Sequence, residues 1–245
     1  MTKRILIATT SHTRKGDTGQ PTGAYLPEIA HPHAVFRRAG YAVELASVRG
    51  GAVPLDGVEG ADVASLTFLD EHRETLAHSL PAAAVDPARY DAIFFAGGHG
   101  AMWDLPDDAA FMRASAAIYE RGGVVAAVCH GPAALVNVRL SNGAFLVAGR
   151  QVSAFTNAEE RAVGLDRVVP FLLEDRLNAR GAQHVPGPLW QANVVASDRL
   201  VTGQNPASAT GVAEAVIETL QRLPGPAARR AEPYSMNDTP NEIVG

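Results

Sequence analysis

Cysteine is almost missing from the 245-residue chain, which holds only Cys129. A single thiol excludes an intrachain disulfide framework and any zinc site built on several thiolates. It leaves two readings, a small buried side chain or a reactive nucleophile. An excess of positive charge is missing too. Lys and Arg number 21 against 26 Asp and Glu, a formal charge of −5, so the electrostatic footprint of a nucleic-acid binder is absent and small or neutral partners are expected. No apolar run approaches the roughly 18 residues of a membrane helix. The opening Lys3-Arg4-Ile5-Leu6-Ile7-Ala8 is basic and then apolar, but Ser11-His12-Thr13-Arg14-Lys15 closes it too early for a signal-peptide core. A cytoplasmic protein is therefore expected, where one reduced thiol is ordinary. Disorder of the whole chain is excluded, because 47% of residues are hydrophobic and only 19% charged. Size scaling lets about 72% of the unfolded surface be buried, enough for one large core.

Short apolar runs alternate with helical patterns along most of the chain. Residues 5–8, 43–46, 92–96, 124–128 and 194–196 are continuous rather than alternating, as expected of parallel strands covered on both faces. Between them, 25–38 ends at Gly40, 107–121 ends at Gly122-Gly123 and 168–179 ends at Gly181, each a helix closed by glycine. Asn205-Pro206 places a capping side chain before a first-turn proline and predicts a last helix over 207–220. The alternation predicts a doubly wound α/β fold with a mainly parallel sheet sandwiched by helices. With no internal repeat and no central linker, residues 1–223 read as one domain. The Pro- and Gly-rich stretch from Pro224 starts a tail over 224–245, mobile or docked on a neighbour. Residues 12–22 form a long loop after the first strand, where ligands of open α/β sheets bind.

Val124-Val125-Ala126-Ala127-Val128-Cys129-His130-Gly131-Pro132 is the most informative segment. An apolar strand runs into the thiol, and Gly131-Pro132 permits a sharp turn into a helix, the context of a nucleophile elbow. A thiol on such a turn leaves the sheet near a helix N-terminus, whose partial positive charge favours thiolate. His130 meets a geometric objection, since neighbours in a straight strand point to opposite faces and cooperate only across a kink.

Two acids are candidate partners. Glu28 heads the first helix among Pro27 and apolar residues; it is either a surface acid favoured by the helix dipole or a carboxyl kept protonated by its surroundings. Glu159 and Glu160 are either first-turn acids behind an Asn157 cap or the group that orients His130. Gly97-Gly98-His99-Gly100 follows a strand, and its glycines would let backbone amides approach a ligand as an oxyanion hole. It lacks the spacing of a nucleotide-binding loop. His31-Pro32-His33 offers two imidazoles without a third ligand in register, so solvent-exposed histidines and no metal are expected.

Together, Gly97-Gly98-His99-Gly100, Ala127-Val128-Cys129-His130-Gly131-Pro132, Glu28 and Thr202-Gly203-Gln204-Asn205-Pro206 resemble the ThiJ/PfpI superfamily, in particular its glutathione-independent glyoxalases (glyoxalase III) and related stress chaperones. The resemblance runs from Lys3 to Leu223. It implies a flavodoxin-like fold, usually homodimeric, needing no cofactor, with a small carbonyl compound as substrate. It further implies a triad of Cys129, His130 and Glu160, with Glu28 hydrogen-bonded to the sulfur and with Gly98, His99 and Gly131 at the oxyanion and substrate site. Ser153-Ala154 departs from the threonine and glycine frequent in that family. The activity implied is conversion of methylglyoxal to D-lactate through a hemithioacetal on Cys129. Two other readings share the residues: a cysteine hydrolase, such as a peptidase, amidase or deglycase, and a holding chaperone whose cysteine senses oxidation.

Overall fold

The architecture comes from a computed structural model that describes residues 2–223. The tail expected over 224–245 lies outside the described residues. Seven strands form the main sheet: β1 (Arg4–Thr9), β2 (Ala42–Ser47), β3 (Leu80–Pro81), β4 (Ala92–Phe95), β5 (Val124–Val128), β6 (Val194–Ser197) and β7 (Leu200–Gly203). Their order is β6-β7-β5-β4-β1-β2-β3, parallel throughout except where β6 pairs antiparallel with β7. The chain builds outward from β1 to one side, then crosses to β4 and builds to the other. The switch point, where such folds bind ligands, therefore lies at the carboxyl ends of β1 and β4.

The continuous apolar runs are explained by two layers of helix. Leu6 and Ala8 of β1 pack in the layer that holds Phe111 and Ile118, on the helix Ala109–Glu120. Their neighbours Ile5 and Ile7 pack on the other face. That face receives Ile29 and Phe36 of α1 (Leu26–Arg38), together with Val212 and Val216 of the C-terminal helix (Ala209–Arg222). Each such side chain taken fully out of water contributes on the order of 1.5–3 kcal/mol, so both faces of the central strands hold the sheet. Helix α1 closes as its sequence implies, with Arg37 and Arg38 in the last turn and Gly40 at φ +78°.

Five details depart from the sequence expectations. The strand at 194–197 is an antiparallel, half-exposed edge rather than a strand covered on both faces. The helix expected over 168–179 begins only at Leu173. The last helix comes after a 3-10 turn, Pro206–Ser208, and Asn205 does not cap it, because its amide is drawn to the Glu159 carboxylate. Asn157 is not a cap either; Thr156 is, in a reciprocal capping box with Glu159 at the head of the helix Asn157–Ala162. Finally, His31 and His33 are half-buried: His31 bonds Asp62 at 2.9 Å, and His33 packs on the His72 ring.

Candidate active site

β5 delivers the thiol. Cys129 comes directly after its last residue with φ 60°, a left-handed conformation that a non-glycine side chain adopts at a cost of about 1–3 kcal/mol. Backbone bonds on both sides hold it there: Cys129 N–H donates to the Gly203 carbonyl at 2.9 Å, and its own carbonyl accepts from Phe155 N–H at 2.9 Å. The turn closes only because residue 131 is glycine, since a Cβ there would stand 2.3 Å from the Phe95 carbonyl oxygen. The chain then enters a five-residue 3-10 turn, Gly131–Leu135, not an α-helix. A short turn supplies little dipole, so thiolate is not favoured in the way the sequence implied.

The kink removes the geometric objection to cooperation between neighbours. His130 Nδ1 lies 3.4 Å from Cys129 Sγ, and its Nε2 lies 2.7 Å from Glu160 Oε2. Both imidazole and carboxylate are buried. His99 brings its own Nε2 to Glu160 Oε1 at 2.9 Å, with its ring centroid 4.1 Å from that of His130. Burial works against the charge of Glu160, but hydrogen bonds from His130 and His99 outweigh it and hold the carboxyl at about 2. The carboxylate is thus an acceptor on both oxygens, which assigns the proton of each imidazole to Nε2 and leaves the lone pair of His130 Nδ1 facing the sulfur. Burial, aided by His99, lowers His130 to about 4 against the pull of Glu160, so the imidazole is neutral and free to take a proton.

Glu28 approaches the same sulfur from α1, whose first turn it occupies. It is fully buried. Its Oε2 accepts from Gly97 N–H at 2.8 Å, while Oε1 makes no well-formed hydrogen bond, which leaves it the Cys129 sulfur as polar neighbour. Burial pushes this carboxyl up to about 8, against the stabilising contacts of Cys129 and Gly97. Glu28 therefore carries a proton at neutral pH. Burial also raises the Cys129 thiol, and charge on Glu28 raises it further, while the Gly98 and His130 N–H groups act in the opposite sense. The thiol and carboxyl share a small, buried compartment that accepts one negative charge more readily than two.

The glycine loop serves this compartment in a way its sequence did not imply. A Cβ on residue 97 would meet Glu28 Oε2 at 2.6 Å, and one on residue 98 would meet the Gly23 carbonyl oxygen at 2.4 Å. Glycine is needed there for the chain to pack on itself. The close approach it permits brings the Gly98 N–H toward the sulfur, next to that of His130. Two backbone N–H groups thus converge on the sulfur from opposite segments of chain. His99, expected at the substrate side, instead spends Nε2 on Glu160. His99, His130 and Glu160 have metal-ligand spacing, their atoms all within 4.8 Å of one another, but a cation would have to displace both hydrogen bonds.

Two aromatic rings complete the surroundings of His130. Phe155 lies against His130 at 4.3 Å between ring centroids, and Trp190 lies 5.9 Å from Phe155. Trp190 holds φ 62° and is half exposed. Its backbone N–H donates to Glu159 Oε1 at 3.0 Å, an oxygen that also receives Gln204 Nε2 at 3.1 Å and Asn205 Nδ2 at 2.9 Å. Glu159 thus pins the loop of Trp190 to the end of β7, while its neighbour Glu160 faces the histidines. The Thr-x-x-Glu box at Thr156 and Glu159 was the available signal, because it fixes which of the two acids turns back to the helix start. Nothing in the sequence marks the positive φ of Trp190.

A model of the DJ-1/PfpI family matches residues 22–219. The chain belongs to the DJ-1/PfpI family. Within the family it is 32% identical over 233 residues to Glyoxalase 3 of Candida albicans, across 89% of this chain and 98% of that one. It is also 32% identical, over the same shares, to the glutathione-independent glyoxalase HSP31 of Saccharomyces cerevisiae. A solved Rapid Encystment Protein of Francisella tularensis superposes with TM-score 0.87 at 39% identity, covering 89% of this chain and 99% of that one. Several DJ-1/PfpI relatives at this distance are thus named as glutathione-independent glyoxalases.

Proposed function

We propose that this DJ-1/PfpI protein is a glutathione-independent glyoxalase that converts methylglyoxal and similar 2-oxoaldehydes to 2-hydroxy acids, D-lactate in the case of methylglyoxal. The observation that carries the reading is a thiol flanked by two acid-base groups in opposite states: a neutral imidazole with a free lone pair at 3.4 Å and a carboxyl that keeps its proton to about pH 8. An internal redox shift needs such a pair, one group to remove a proton from carbon and one to protonate oxygen.

His130 Nδ1 takes the thiol proton as sulfur attacks the aldehyde carbon, C1. The aldehyde oxygen becomes negative beside the Gly98 and His130 N–H groups and then receives that proton from His130, giving a neutral hemithioacetal. His130 next removes the hydrogen on C1. The electron pair forms a C1–C2 double bond, and the C2 oxygen takes the proton of Glu28, leaving an enediol and a carboxylate. His130 returns its proton to C2 while the hydroxyl on C1 returns one to Glu28, so C1 becomes the thioester carbonyl once the C2 oxygen keeps its own proton. C1 has been oxidised and C2 reduced, with no external electron acceptor. Water then cleaves the thioester, releasing the 2-hydroxy acid and restoring the thiol. Glu160 holds the imidazole in the required tautomer throughout.

The test is lactate formation from methylglyoxal by the purified chain and by Cys129→Ala. The reading expects turnover without glutathione and its loss in a folded Cys129→Ala variant; turnover that survives the substitution overturns it.

A further inference from the structure

A cavity separate from the thiol opens between α1, β2 and the helix Val63–Glu71. Its volume is about 220 Å³. Ile29, Leu45 and Phe68, all buried, form its apolar floor. Its polar side is built from His33, Arg37, His72 and Thr75. Ile29, His33 and Arg37 recur every fourth residue, so one stripe of α1 supplies floor and rim together.

Among the described residues, no carboxylate pairs with this polar side. The His33 and His72 rings stand 4.5 Å apart, edge to face, and Phe68 packs on both, so their close neighbours are rings. Arg37 donates from Nη1 to the Tyr41 carbonyl at 3.2 Å, which leaves the rest of its guanidinium fork available. Burial first, and then the neighbouring His72 and Arg37, push His33 down to about 4. The acid that borders the cavity does not relieve them. Glu44 is engaged elsewhere, with Oε1 accepting Arg4 at 2.8 Å and Arg89 at 2.9 Å, and Oε2 accepting the Tyr90 hydroxyl at 2.8 Å.

We propose that this cavity binds a small monocarboxylate with an apolar body, its carboxylate on Arg37 and the two imidazoles and its body on Ile29, Leu45 and Phe68. A bidentate guanidinium supplies direction, and the apolar floor selects against fully hydrated anions. The site shares α1 with Glu28 but none of the residues around Cys129, so its occupancy does not depend on the reaction proposed above.

The test is calorimetric titration of the full chain with benzoate, with benzyl alcohol as the uncharged control of like shape. Saturable one-site binding of benzoate in the micromolar to low-millimolar range is expected, with none for the alcohol. Affinity should fall at least tenfold in Arg37→Gln, an exposed position that does not threaten folding, and also in His33→Gln, while Cys129→Ala binds as the parent does. Absence of saturable binding, unchanged affinity in both Arg37→Gln and His33→Gln, or loss of binding in Cys129→Ala would each overturn the proposal.

Discussion

Two buried carboxyls flank one thiol, and the surroundings drive them apart. Glu160, at one end, accepts two imidazole N–H bonds and stays ionised down to about pH 2. Glu28, at the other, accepts a single backbone N–H, leaves one oxygen without a well-formed bond, and keeps its proton to about pH 8. Burial opposes ionisation in both. Two imidazoles, acting through hydrogen bonds and charge, overcome it at Glu160, whereas a backbone N–H and a thiol do not at Glu28, so one residue type yields a fixed anion on one side of the sulfur and a proton donor on the other.

Removing the anion should have the largest effect. Glu160→Gln presents an amide where two imidazoles need an acceptor, which frees His130 to adopt the other tautomer. By analogy with triads of this kind, kcat for lactate formation should fall by about 10³-fold or more. A drop of less than tenfold would mean that Glu160 does not hold the histidine.

Removing the proton donor should act on rate and stability in opposite directions. Glu28→Gln is expected to lower kcat by about 100-fold. The folded chain holds the Glu28 proton to about pH 8, whereas the unfolded chain releases it near 4.5, so stability falls as pH rises across that interval. The variant has no such cost. At pH 7 it should be more stable than the parent by roughly 2–3 kcal/mol, read as a higher midpoint in urea, with the gain shrinking toward pH 5. Equal midpoints at both pH values would show that Glu28 is ionised in the folded chain.

The same contrast sets the pH profile. kcat/KM should decline below about pH 4, where His130 gains a proton, and above about pH 8, where Glu28 loses one. The alkaline limb alone should move in Glu28→Gln. Stability on the acid side should be lost as pH falls from 6.5 toward 4 with His130, and from 4.5 toward 2 with Glu160.

Glu159 gives the smallest effect on rate and separates position from chemistry. Its Oε1 alone receives Trp190, Gln204 and Asn205, so Glu159→Gln should cost roughly 1–3 kcal/mol of stability by leaving donors unpaired. kcat should fall by less than about tenfold, since His130 keeps Glu160. A loss matching that of Glu160→Gln would erase the distinction between the neighbours.

The sequence carried the frame of this site and not its electrostatics. The central strands were legible because Val124–Val128 and its neighbours are apolar on both faces, a pattern few other structures produce. Gly131-Pro132 marked the elbow. The edge strand Val194–Ser197 misleads because an antiparallel edge of a mixed sheet can also be apolar in sequence. Glu28 could be named but not assigned a state, since its proton depends on burial by residues far away in the chain, such as Gly97. The pre-activated thiol is the clearest mismatch. It required Gly131-Pro132 to start an α-helix, whereas the chain makes a 3-10 turn with little dipole. Asn205 reads as a helix cap for a similar reason, because a local rule cannot see Glu159.

The protonated state of Glu28 is the pivot, and infrared difference spectroscopy reads it directly. Spectra of the parent and of Glu28→Gln across pH 5 to 10 should differ by a protonated carboxyl C=O band that the parent shows at pH 6 and loses with a midpoint near 8. A Glu28 that gives only carboxylate bands at pH 6 would contradict the claim that this thiol works beside a carboxyl able to supply the second proton.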